Sequence, residues 1–280
     1  MKSSQKILVF IKTKWQLITI LLLLIVLVVQ LLQLVSAAPG SAEAAAGQIT
    51  DWGLSFQGGS GDPPIANVSA EELAEYSAYY IGDTEKKYIY LTFDAGYENG
   101  HGPTVLDILK EKQVQATFFL VGDYLKTQPD LVKRMVDEGH TVANHTATHP
   151  DMSSIGSMED FRAELEEVER LYYNIVGSEM PKLYRPPRGK FNVSNLQQAQ
   201  LLGYKTIFWS LAYQDWDNAA QPDPQASIDK LNGRIHNGAI VLLHLNSETN
   251  SQILGQLIDS WRDMGYEFRP LTELVGLAVE

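Results

Sequence analysis

At 280 residues, with 45% hydrophobic and 20% charged residues, the chain has material for one barrel-sized domain and is too apolar to be disordered. It carries 22 basic and 34 acidic residues, a net charge of −12; Lys2, Lys6, Lys12 and Lys14 stand apart at the start, which leaves 18 basic against 34 acidic residues, a net −16, in the rest. Such a body repels nucleic-acid phosphates, and the absence of cysteine excludes disulfides, a thiol nucleophile and thiolate metal sites.

After Lys14 no charge appears until Glu43, and residues 17–29 form a nearly unbroken apolar run followed by the small residues Ser36, Ala37 and Ala38. Basic residues before such a run describe either an export signal with a cleavage site or an uncleaved helix long enough to span a bilayer, its lysines on the cytoplasmic side. Residues 1–38 are therefore expected to be a signal peptide or membrane anchor, and everything after them to be exported. Residues 39–86 read as a linker and N-terminal arm: 39–61 are rich in Ala, Gly and Ser, and 71–80 suit a short helix.

From 87 to 280 the pattern is regular. Strands are predicted at 89–94, 116–121, 141–144, 182–185, 205–210, 239–244 and 266–270. Helices are predicted between them at 103–112, 129–138, 157–176, 193–202, 224–236 and 252–264. The clearest helix opens at Ser157, buries the stripe Phe161, Leu165, Val168, Tyr172 and Ile175, and stops at Gly177. Seven strands alternating with helices, none joined by a two-residue hairpin, argue for parallel strands with right-handed crossovers. One unit of the usual eight is missing, so the expected fold is α/β, a distorted (β/α)7 TIM-like barrel.

Reactive side chains fall at the ends of these strands. Asp94 ends the first, His145 and His149 follow the third, Arg185 and Arg188 the fourth, Asp215 the fifth, and His244 ends the sixth. In a parallel barrel these ends share one face, where active sites form. HTATH sets two imidazoles four residues apart, able to bind one metal with a carboxylate such as Asp94, though the same spacing also arises in loops that bind nothing. An imidazole-rich set suits Zn, Co, Ni or Fe better than Mg or Ca. Asp94 emerges from an apolar strand, a setting expected to raise its pKa and fit it to act as a general base on water. His244 suits a general acid, or a satisfied core histidine. The rigid RPPRG turn suits two placed guanidiniums, one for a catalytic carboxylate and one for an anionic substrate, and Trp216 suits stacking or core cover.

Together TFDAG, HTATH, RPPRG, the QDW of WSLAYQDW, and LLH resemble the five ordered motifs of the polysaccharide deacetylases, carbohydrate esterase family 4 with the NodB-homology domain, from about residue 87 to 274. The longer strings YLTFDAGYENG, DEGHTVANHTATHPD, LYRPPRG and DWGLSF are similar to the delta-lactam-biosynthetic de-N-acetylases of spore-forming bacteria. The resemblance implies an amide hydrolase acting on peptide-free N-acetylmuramic acid, on the way to the muramic lactam of spore cortex. It implies Asp94 as base, His244 as acid, Arg185 and Asp215 as their orienting partners, His145 and His149 as ligands of a divalent metal (Zn or Co), and Arg188, Trp216, Tyr97 and Asn99 as substrate contacts. Peptidoglycan strands would be the partner of a monomeric protein that meets the membrane only through an uncleaved N-terminal helix.

Two positions depart from the family pattern. Ala95 stands where members with a full metal triad carry a second aspartate, which implies weak metal binding or a substitute from His101, Glu98 or Asp151; Ala212 stands where many relatives have an acid. The same motifs admit chitin, xylan or intact peptidoglycan as substrate. They also admit a glycan-binding protein that has lost its metal.

Overall fold

The computed structural model describes residues 47–59 and 61–277. The expected signal or anchor at 1–38 lies outside the described residues. Among those described, no helix is long and apolar enough to cross a membrane.

The strands in chain order are β1 (Thr50–Asp51), β2 (Leu54–Ser55), β3 (Ile65–Ala66), β4 (Ala78–Tyr79), β5 (Tyr88–Ala95), β6 (Thr117–Leu120), β7 (Thr141–Asn144), β8 (Leu183–Tyr184), β9 (Lys190–Phe191), β10 (Lys205–Ile207), β11 (Ala239–His244) and β12 (Glu267–Phe268). Eight of them build one parallel sheet in the order β11-β5-β6-β7-β8-β10-β4, with β12 on the lower part of β5. Helices cross between successive strands, and the sheet curls into the expected distorted barrel. All seven predicted strands belong to it.

Parallel strands covered on both faces need apolar residues at nearly every position. β5 shows this: every residue after Tyr88 is buried, and Phe93 stacks on Phe118 of β6 with ring centroids 5.2 Å apart. Register then fixes chemistry, because Asp94 pairs with Phe119 on one side and with His244 on the other. The acid one residue before the end of β5 and the histidine that ends β11 therefore emerge side by side.

Helix Met158–Val176 starts at the Ser157 cap, buries Phe161, Leu165, Val168 and Tyr172, and ends at Gly177 with φ 82°. The reciprocal capping box lies elsewhere, at Asn192 and Asn195, where each side chain accepts the other's backbone N–H. Several boundaries moved. The predicted helix at 71–80 is only Ala70–Ala74, because Ser77 turns left-handed (φ 53°) and the chain re-enters the sheet as β4. A helix at Gly122–Thr127, too short to show a period, escaped the sequence pattern. The strand predicted at 205–210 ends at Ile207, since the chain then crosses to β11, where Ser210 and Leu211 donate to the Ile240 carbonyl and Leu242 donates to that of Leu211. These few bonds are where the barrel closes.

Residues 48–59 and 61–86 pack on the barrel. β1 pairs antiparallel with β9, and buried Trp52 stacks on Phe208 (4.7 Å) while its Nε1 donates to the Trp209 carbonyl at 3.0 Å. Gly189 has φ 66°, and a Cβ there would meet Trp52 Cβ at 2.9 Å, so only glycine fits beneath the arm. The arm thus braces the RPPRG turn from behind.

Candidate active site

At the C-terminal ends of the strands opens a cleft of about 930 Å³, lined among others by Asp94, Ala95, Tyr97, Asp123, His145, His149, Arg188, Trp209, Ala212, Trp216, His244 and Asn246. Of the ten residues predicted for the site, Asp94, Tyr97, His145, His149, Arg188, Trp216 and His244 line this space. Arg185 and Asp215 are fully buried behind it. Asn99 is not among the lining residues; its Nδ2 donates to the carbonyl of Asn246, which is.

Asp94 is held by Arg185. Nη1 donates to Asp94 Oδ1 at 2.6 Å, while Nε and Nη2 donate to the carbonyls of Ile207 and Phe208 and the guanidinium lies over the Phe119 ring at 4.1 Å. Burial pushes the Asp94 carboxyl up, but the charges of Arg185, His145 and His244 more than reverse this, and its pKa lies below the ordinary value. The expectation of a raised pKa is therefore corrected. The apolar strand alone predicts a raised pKa, whereas the guanidinium of Arg185, 91 residues away, decides the sign. Oδ2 stays free of Arg185.

His145 Nδ1–H donates to the Arg185 carbonyl at 2.8 Å, which fixes the tautomer and leaves the Nε2 lone pair 3.5 Å from Asp94 Oδ2. The His149 ring stands beside it, centroids 5.0 Å apart. Burial lowers both imidazole pKa values, that of His149 to about 4 with help from the His145 charge, so both are neutral at ordinary pH. Neutral imidazole and carboxylate acceptors facing one another without a proton between them fit a cation. Among the described residues, however, no three His, Asp, Glu or Cys side chains are grouped to hold one. The proposed substitutes for the missing third ligand are engaged elsewhere. Glu98 accepts from the N–H groups of Gly100 and Gly102 and from Tyr124 Oη; His101 contacts Ser251; Asp151 accepts from Ser153 and Lys190. Both departures from the family pattern, Ala95 and Ala212, line the cleft.

His244 is backed by a network. Its Nδ1 meets Asp215 Oδ1 at 2.7 Å and its backbone N–H donates to Asp215 Oδ2 at 2.8 Å. Burial lowers its pKa, but the hydrogen bond and charge of Asp215 outweigh that, and the net shift is upward. Two asparagines that sequence reasoning missed complete the surroundings. Asn250 Nδ2 donates to Asp215 Oδ2 at 2.6 Å and its Oδ1 accepts from Tyr213 Oη at 2.5 Å. Asn246 Nδ2 reaches Tyr97 Oη, the Trp216 carbonyl and Asn218 Oδ1 at 2.9–3.2 Å, tying together the loops that carry the two exposed aromatics of the rim. Their only sequence signal is proximity to LLH.

Comparison with known proteins agrees with this geometry. The sequence signature of the family described as polysaccharide deacetylase matches residues 81–207. The chain is 39% identical over 243 residues (86% of this chain, 92% of the relative) to a peptidoglycan-N-acetylmuramic acid deacetylase, PdaA, of Bacillus subtilis. The solved structure of that protein, a family 4 carbohydrate esterase, superposes with a TM-score of 0.77, covering 82% of this chain and 98% of that one. A family 4 carbohydrate esterase from Bacillus anthracis is 40% identical with a TM-score of 0.68, covering 82% and 97%. An uncharacterised Geobacillus stearothermophilus protein is 44% identical over 80% of this chain and 84% of its own length.

Proposed function

The chain belongs to the polysaccharide deacetylase family, carbohydrate esterase family 4, and from that premise we propose that it removes the N-acetyl group from peptide-free muramic acid in peptidoglycan. The observation that carries the reading is the pair of residues at the ends of adjacent strands β5 and β11, Asp94 held by Arg185 and His244 held by Asp215, which are partners in register at the cleft.

His145 and His149 would hold a divalent metal, Zn or Co by the softness of the donors, which would polarise the acetyl carbonyl and the attacking water. With only two protein ligands the ion would be bound weakly. Asp94, whose Oδ1 is committed to Arg185, uses Oδ2 to take a proton as the water oxygen bonds to the acetyl carbon. His244, protonated by virtue of Asp215, gives a proton to the sugar nitrogen as the carbon–nitrogen bond breaks, releasing acetate and a free amine. Tyr97 and Trp216, exposed at the rim, stack on sugar faces. Arg188 faces the lactyl carboxylate that a peptide-free muramic acid exposes, and the freed amine can then bond to that carboxyl carbon with loss of water to give the lactam of spore cortex. Export through the N-terminal segment 1–38 would bring the protein to this substrate.

Substituting Asp94 by Asn, or His244 by Gln, should reduce acetate release from peptide-free glycan by at least about 10²-fold, the ordinary worth of a general acid or base. Turnover within a few-fold of wild type in either variant would refute the roles assigned.

A further inference from the structure

We propose that Glu164, on helix Met158–Val176, is the positioning residue of the histidine loop 145–149 and sets its affinity for metal; this rests on the reading of His145 and His149 as metal ligands. The loop is strained. Thr146 and His149 are non-glycine residues in the left-handed region, with φ of 70° and 59°. Such a conformation persists only when its surroundings over-determine it.

Glu164 supplies much of that determination. Its Oε2 accepts the Thr148 N–H at 2.9 Å, its Oε1 accepts the Thr148 hydroxyl at 2.7 Å, and its backbone carbonyl accepts the Ala147 N–H at 2.9 Å. Inside the loop, Thr146 Oγ1 accepts the His149 N–H at 3.0 Å. From the opposite side Gly122 N–H donates to the Thr146 carbonyl at 3.0 Å, and a Cβ on Gly122 would meet the Ala147 carbonyl oxygen at 2.7 Å. The loop is therefore clamped between two elements, and the carboxylate grips the residue that directly precedes His149.

Glu164 has no other visible task. It stands past the first turn of its helix, so it caps nothing there, and among the described residues it forms no salt bridge. A carboxylate that spends both oxygens on one loop residue acts on the ligand geometry much as outer-shell partners of metal-bound histidines do.

The test is metal affinity of the full chain, read by competition with a chromophoric Zn chelator and requiring no substrate. Glu164→Ala should weaken Zn binding about 10–100-fold, the range typical of outer-shell substitutions. Glu164→Gln, which can still accept the Thr148 N–H, should recover most of it, and Thr148→Val, which removes only the hydroxyl bond, should fall between. His149→Ala serves as the control. If it abolishes binding while the Glu164 and Thr148 variants bind like wild type, the positioning role is overturned and the ligand assignment stands. If His149→Ala binds like wild type, both fall. If Glu164→Ala does not fold, the Gln and Val variants carry the test by themselves.

Discussion

Asp94 stands under two opposed influences, burial that disfavours its charge and a guanidinium at 2.6 Å that favours it, and the second wins. Its neighbour in register shows the same balance with the opposite sign of shift, since Asp215 raises the His244 pKa despite burial. The two shifts set the pH dependence. Above about pH 5, Asp94 is ionised and His149, lowered to about 4, is neutral; the rate then falls on the alkaline side as His244 loses its proton above its ordinary value of 6.5. Asp215→Asn removes the charge that raises His244, so the alkaline limb of kcat/KM should move to lower pH. An unmoved limb would mean that His244 is not the group being titrated. The same raised pKa contributes stability that is fully present below about pH 6.5 and lost as pH rises through the folded value. At this scale the sequence was readable wherever a reactive residue ended a strand. It pointed to Arg185 as a partner for the carboxylate but not to the sign of the resulting pKa shift, and it was silent on Asn250 and Asn246, because each of these depends on side-chain contacts between distant loops.

Among the elements, the long ones announced themselves. The 3.6-residue stripe of Met158–Val176 and the apolar runs of β5 and β11 appear where periodicity and β-branched composition put them. The arm did not, since its strands are two residues long and carry no period, and its role lies in one side chain. Trp52 packs under Phe208 and Gly189, the residue after Arg188, and its indole N–H is paired with Trp209, a wall of the cleft. Trp52→Ala should cost about 3–5 kcal/mol in chemical unfolding, by cavity formation and the lost bond, and should raise KM because the turn carrying Arg188 loses its backing. A loss below about 1 kcal/mol with unchanged KM would show that the arm is an appendage after all.

For the whole molecule, the net −16 of everything after Lys14 and the cleft have to be read together. A strongly acidic body repels an anionic polymer over distance, so a cation at the rim has a disproportionate effect on which sugar is accepted. Among the described residues Arg188 is the one arginine or lysine that lines the cleft, and its backbone there is left-handed (φ 60°). That makes a sugar bearing one exposed carboxylate a better match than a strand dense with peptide acids. Mass spectrometry of glycan strands incubated with the protein and Zn or Co tests the account most directly, comparing strands freed of peptide with strands that carry it. Loss of one acetyl group from the muramic acid of peptide-free strands, and none from peptide-bearing ones, is the result predicted. Acetyl loss from glucosamine alone would move the substrate, and unchanged masses from folded, glycan-binding protein under either metal would contradict catalysis itself.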